Sequence, residues 1–176
     1  MKSEEFEIFI ACVPGLEHEL LSEIKKNSFK QTKLMVGGAS LFGDWRDVWR
    51  ANFYLRGATK VLVRFTSFRA THLAQLDRLS HKLSWENLLQ YKKSFRVETV
   101  CRKSKIYHSG AATERISKAI SDKIDAKEDP NSGIVIKTRI SSDICTISLD
   151  SSGEGLHKRG YKIATGKAPI RETLAA

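Results

Sequence analysis

With 176 residues, 41% hydrophobic and 28% charged, and a formal net charge of +10, the chain has globular composition and room for one domain or two small ones. It has no apolar run near the roughly 18 residues that span a bilayer as a helix, and its opening, Met1-Lys2-Ser3-Glu4-Glu5, is acidic where a signal peptide is basic, so a cytoplasmic protein without membrane contact is expected. Cys12, Cys101 and Cys145 are odd in number, far apart and set among apolar or β-branched neighbours, which argues against a disulfide framework and for reduced, buried thiols.

Phe6, Ile8 and Ile10 alternate with Glu7 and Phe9, as in a half-buried strand. Pro14 then opens a helix with Leu16, Leu20, Leu21 and Ile24 on one face, ending near Asn27. Residues 34–36 and 39–42 flank Gly37-Gly38, a pair that takes the positive φ values a tight hairpin requires. Asp44 caps the next helix, whose Trp45, Val48, Trp49 and Phe53 form an apolar stripe ending at Gly57. Val61, Val63 and Phe65 mark a strand. The resulting βαββαβ order is the split-βαβ, ferredoxin-like sandwich, one sheet with two helices on one face, at about 3–69.

The second segment has a different order. Leu73, Leu76, Leu79 and Leu83 space a helix after Thr71, and Ser84 caps a short second one at 85–89. Phe95, Val97, Thr99 and Cys101 alternate with Arg96, Glu98, Val100 and Arg102 as a strand. Ser109 is expected to cap a long helix carrying Ala112, Ile116, Ala119, Ile120 and Ile124. Asp129-Pro130-Asn131-Ser132-Gly133 is turn chemistry; Ile134, Ile136, Thr138 and Ile140 then form a strand that turns through 141–143 into a partner at about 144–150. The fold class is therefore α+β, a ferredoxin-like domain followed by an ααβαββ unit.

Charge is unevenly spread. Residues 1–59 carry eight Lys/Arg and eight Asp/Glu, residues 60–108 eleven against three, and residues 109–176 eleven against nine. A localised basic field attracts polyanions, and its sharpest run is Arg102-Lys103-Ser104-Lys105-Ile106-Tyr107-His108-Ser109, between a strand and a helix N-terminus. There the free N–H groups and positive dipole end of the helix join the cations, so a phosphate is the expected ligand. The competing reading is a solvated loop whose serine only caps the helix. Tyr107 and His108 offer rings on which an unpaired base can stack, with core packing the alternative for Tyr107. Lys158, Arg159, Lys162 and Lys167 extend the basic surface or belong to a charged linker.

No metal or catalytic constellation competes with this site. His18, His72, His81, His108 and His157 are scattered, no Cys-x-x-Cys or His-Glu-x-x-His spacing occurs, and no Gly-x-Ser-x-Gly elbow or Gly-x-Gly-x-x-Gly loop follows a strand. Catalytic, cofactor and metal residues are thus expected to be none.

The string 156–162, Leu-His-Lys-Arg-Gly-Tyr-Lys, with 165–176, Thr-Gly-Lys-Ala-Pro-Ile-Arg-Glu-Thr-Leu-Ala-Ala, resembles the junction of bacterial THUMP-containing methyltransferases that modify large-subunit ribosomal RNA (guanine-N2 type). Cys12-Val13-Pro14-Gly15-Leu16-Glu17, with Leu20-Leu21 and Glu23-Ile24, is similar to that family's opening, and the ααβαββ order resembles a THUMP domain. The resemblance implies a THUMP domain at 70–158, followed at 159–176 by a linker and the start of a methyltransferase domain. It implies structured RNA, in particular ribosomal RNA, as partner, together with the chain's own C-terminal methyltransferase domain. S-adenosylmethionine is expected only for that further domain, because the family's Asp-Pro-x-x-Gly-x-Gly and Asn-Pro-Pro-Tyr motifs do not occur in these residues. The segment itself is then inactive and positions RNA. Two alternatives stay open: the substrate-binding region of a DNA adenine or guanine methylase, and a stand-alone basic interaction module.

Overall fold

The computed structural model describes residues 5–89, 94–160, 167 and 170–175. These form two compact units, one made of the residues up to Arg64 together with those from Asp150 onward, the other of Phe65–Leu149.

In the first unit, β1 (Phe6–Ala11), β3 (Gly38–Gly43) and β2 (Lys33–Met35) follow the alternation of apolar residues, and the first half of β4 (Lys60–Arg69) completes an antiparallel sheet in the order β2-β3-β1-β4. That is the ferredoxin-like order expected. The hairpin forms where Gly37 takes φ 81°, and Gly38 is required because a Cβ there would sit 1.9 Å from the carbonyl oxygen of Ile10. Helices α1 (Glu17–Lys26) and α2 (Trp45–Tyr54) bury Leu20, Ile24, Val48 and Ala51 over Ile8, Ile10, Leu41, Val61 and Val63. Burial of each such side chain contributes on the order of 1.5–3 kcal/mol.

The stripe read on α2 divides. Val48 and Ala51 face the core, whereas Trp45, Trp49 and Phe53 are exposed. The physical reason is angular: at 100° per residue, Val48, Ala51 and Leu55 share one arc of about 60°, and the aromatic residues at i, i+4 and i+8 share another centred about 130° from it.

Residues from Asp150 return to the first unit. Ser151 N donates to Val61 O at 3.1 Å, Leu156 N to Thr59 O at 3.0 Å, and Lys60 Nζ is paired with Asp150 at 2.7 Å. Helix α6 (Glu172–Ala175) lies farther along this segment.

In the second unit, α3 (Leu73–His81), α4 (Trp85–Leu89), β5 (Ser94–Arg102), α5 (Ser109–Ser121), β6 (Lys127–Glu128), β7 (Val135–Ser141) and β8 (Ile144–Asp150) follow one another. The strands run in the order β8-β7-β5-β6, with β7–β8 antiparallel and β5 parallel to both β6 and β7. Leu76, Trp85, Phe95, Val97, Ile116, Ile120, Ile136, Ile140 and Ile147 fill the core, and Trp85 Nε1 donates to Ser80 O at 2.8 Å. β6 is an element that the sequence reading lacked.

Candidate nucleic-acid interface

Because β5 and β7 are parallel, the chain must cross back through α5, which puts the C-terminal ends of both strands and the N-terminus of α5 at one edge of the second unit. Helix α3 starts at the same edge. Asp143 accounts for this, since its carbonyl accepts from Ala70 N at 2.9 Å, just ahead of α3, while its Oδ1 accepts from Lys105 N at 2.8 Å. At the opposite end the two helices meet again through His81 and Asp122, Nε2 to Oδ2 3.2 Å, so α3 and α5 run parallel and aim both N-termini the same way.

The loop 103–108 is held rather than loose. Ser104 Oγ donates to Arg102 O at 2.9 Å and accepts from Asp143 N at 3.0 Å. Lys103, Ser142 and Asp143 have φ of 46°, 51° and 65°, left-handed values that these hydrogen bonds maintain. Ile106 is buried and pins the loop to the core. Around that anchor, Arg102, Lys103, Lys105, Tyr107, His108 and Ser109 are all exposed. Tyr107, at 84% exposure, is not a core residue, so of its two readings only the outward ring remains.

The helix caps depart from expectation. His108, not Ser109, caps α5: its Nδ1 accepts from Ala111 N at 3.1 Å, and Ser109 is the first helical residue. His72 caps α3 in the same way, Nδ1 accepting from Gln75 N at 3.1 Å. Neither helix has an acidic residue in its first turn. An imidazole accepting through Nδ1 satisfies a donor without adding negative charge, so two parallel dipoles present their positive ends uncompensated.

The sheet contributes two further cations. Val100 lies beside Arg139 in the β5–β7 register, and Arg102 beside Ser141, so exposed Arg139 is a diagonal neighbour of Arg102. Thr146, opposite Arg139 on β8, is 3.2 Å from Ser67, two residues before exposed Arg69. At the other end of the same strands Glu98 neutralises Arg96, at 3.1 Å, and Lys137. No ion pair involves Arg102, Lys103, Lys105, Arg69 or Arg139 among the described residues. The positive charge is thereby concentrated at the loop edge.

The remaining sequence candidates separate. Lys158 closes a 3-10 turn (Leu156–Lys158) and pairs with Glu154 at 3.2 Å, and Arg159 donates to Asn52 O at 2.7 Å; both belong to the first unit. Lys162 lies outside the described residues. A groove of about 720 Å³, lined by Leu16, Glu19, Glu23, Tyr54 and Thr173, also belongs to the first unit. Among the described residues no cluster of His, Cys, Asp or Glu is placed to hold a metal, and no helix is long and apolar enough to cross a membrane. Burial pushes the Cys145 thiol up to about 12 and Cys12 up to about 11, which suits inert thiols, not nucleophiles.

Residues 7–62 match the RlmL ferredoxin-like domain and residues 70–150 the THUMP domain. A ribosomal RNA large subunit methyltransferase K/L of Desulfotalea psychrophila is 30% identical over 99% of this chain and 25% of its own length. A structure described as a predicted N6-adenine-specific DNA methylase from Listeria monocytogenes is 31% identical, with a TM-score of 0.85 over 98% of this chain and 47% of that one. SMU.472, described as a candidate methyltransferase and complexed with SAH, is 25% identical with a TM-score of 0.80, over 99% of this chain and 48% of its own. The chain thus spans a quarter of that curated relative and about half of those solved methylases.

Proposed function

We propose, for a chain that carries an RlmL-type ferredoxin-like domain followed by a THUMP domain, that it is the RNA-positioning part of an S-adenosylmethionine-dependent ribosomal RNA methyltransferase. The observation that carries this reading is the edge at which Arg102, Lys103 and Lys105 stand without carboxylate partners among the described residues, beside two helix N-termini capped by neutral imidazoles. Phosphates bind there through cations and backbone N–H groups. Such contacts fix register and orientation, while Tyr107 and the outer face of His108 offer stacking surface for an unpaired base. The methyl donor and the chemistry belong to a further domain of the kind that the longer relatives carry. In this reading the domain boundaries are 3–69 and 70–158, with 159–176 leading toward that domain.

The test is fluorescence anisotropy with a structured ribosomal RNA fragment against duplex DNA of equal length, over a salt series. Tighter binding to the RNA, with affinity falling steeply as salt rises, is the expected result. The name of the Listeria structure favours a second reading, a DNA substrate, and tighter binding to the duplex would establish it. Equal binding to both and to heparin would leave a general basic module.

A further inference from the structure

The exposed face of α2 has no role in the site just described. Trp45, Trp49 and Phe53 stand 46%, 67% and 70% exposed at successive i, i+4 positions. Aromatic rings of this size normally contribute to a core, and a run of three on one outward helix face is unusual for a monomer surface. The rings at both ends are held in place: Phe6 meets Trp45 edge-on with centroids 5.3 Å apart, and Phe53 meets Tyr54 in the same way at 5.0 Å.

Charge identifies the occupant. Exposed Arg46 flanks the stripe, Arg56 follows the helix, and the returning segment adds Arg159, fixed to Asn52 O within α2 itself. Three carboxylates nearby are engaged: Asp44 accepts from Arg46 N and Asp47 N, Asp47 pairs with Arg50 at 2.7 Å, and Glu154 pairs with Lys158. No exposed aliphatic side chain lies on α2, so the apolar surface is entirely π-faced. We infer that α2 is a second nucleic-acid contact, on which unpaired bases of a single strand stack against Trp49 and its neighbours while Arg46, Arg56 and Arg159 face the phosphates. This rests on the RNA-binding reading and assigns to the ferredoxin-like unit a share of the RNA that the THUMP edge does not take.

The test uses the full chain and a single-stranded oligouridylate. Of its three tryptophans, Trp85 is fully buried, so quenching of fluorescence reports Trp45 and Trp49. Saturable quenching is expected in the parent and in Lys103→Glu/Lys105→Glu, and an affinity at least about ten-fold weaker in Trp49→Ala/Phe53→Ala. Both rings are exposed, so the melting temperature of that variant should stay near the parent's; Trp49→Phe, which keeps a stacking surface, should bind within about three-fold of the parent. Quenching absent while the structured RNA still binds through Lys103 and Lys105 would overturn the inference and leave the proposed function standing. Loss of all RNA binding in the parent would overturn both. Self-association that sedimentation shows to vanish in Trp49→Ala, without quenching, would assign the face to a second copy of the chain instead.

Discussion

The two units treat the positive ends of their helices in opposite ways. In the first, α1 opens with Glu17 and Glu19, and α2 is capped by Asp44, which accepts from Arg46 N at 2.8 Å and Asp47 N at 3.3 Å, with Asp47 also in the first turn. In the second, the two long helices, α3 and α5, are capped by His72 and His108 and have no acid in the first turn. A carboxylate at an N-terminus satisfies both the donors and the dipole; a histidine satisfies one donor and leaves the dipole. The first unit thus sets carboxylates at the positive ends of its helices, and the second sets none in the first turns of α3 and α5; in the proposed reading those ends are left to a ligand.

The strongest test of this contrast removes the cations that accompany the open ends. Lys103→Glu with Lys105→Glu should lower RNA affinity about 100-fold at low salt and flatten the slope of log affinity against log salt by about 1.5. Anisotropy across a salt series measures both. The melting temperature should not move, because both side chains are exposed.

A sharper test converts one kind of cap into the other. His108→Asp retains an acceptor for Ala111 N and gives α5 a cap of the first unit's kind, so stability should hold or rise. RNA affinity should fall about ten-fold, because the charge then occupies the anion site. His108→Asn keeps the acceptor without the charge; it loses the ring's stacking surface but should still bind more tightly than His108→Asp. Parental affinity in His108→Asp would show that the open dipole is not used.

The reverse experiment belongs to α2. Asp44→Ala should cost about 1 kcal/mol in chemical denaturation and leave the affinity of the folded protein for structured RNA unchanged. A change in that affinity would show that the α2 cap, like the caps of α3 and α5, bears on the binding of structured RNA.

The smallest effect concerns the far ends of α3 and α5. Asp77 O accepts from His81 Nδ1 at 2.9 Å and, with the Asp122 side chain at Nε2, holds the imidazole pKa above its usual 6.5. A raised folded value means that the stabilisation is complete below about pH 6.5 and fades as pH rises through the higher folded value. Since the ring is about one-third exposed, solvent screens the pair, and only a few tenths of a kcal/mol are expected. Thermal melts of the parent and His81→Gln should therefore differ slightly at pH 5.5 and converge at pH 8.5.

Much of this arrangement could be read from the order of residues. Period-two alternation located β1, β4, β5 and β7, Gly37-Gly38 located the hairpin, and the basic run at 102–109 located the loop, because each is a local signal with one physical meaning. What failed was non-local. β6 is two residues long and owes its existence to parallel pairing of Lys127 and Glu128 with Ser94 and Phe95, which no periodicity reports. Ser109 has the better intrinsic capping preference, but the helix begins one residue earlier, where the His108 ring reaches Ala111 N. Arg139 and Arg69 carry no local signal; the β5–β7 register brings Arg139 beside Arg102, and the bonds of Ser67 to Thr146 and of Ala70 to Asp143 bring Arg69 to the loop. On α2, hydrophobicity alone put Trp45, Trp49 and Phe53 in one stripe with Val48, whereas the buried arc is that of Val48, Ala51 and Leu55.

The return of residues from Asp150 to pair with Val61 and Thr59 also has a kinetic side. The first unit is encoded in two pieces, with the whole of Phe65–Leu149 synthesised between them. At roughly 5–20 residues per second, a ribosome takes on the order of 4–17 s to cross that interval. Until Asp150, Ser151 and Leu156 emerge, Lys60 lacks its carboxylate and the β4 backbone at Val61 lacks its partner. The nascent ferredoxin-like unit is then an incomplete fold with an open edge strand, the kind of intermediate that pairs with neighbouring chains. The second unit is continuous in sequence. Vectorial synthesis thus favours an inverted order of maturation, in which the later-made half reaches its native state while the earlier-made half still waits.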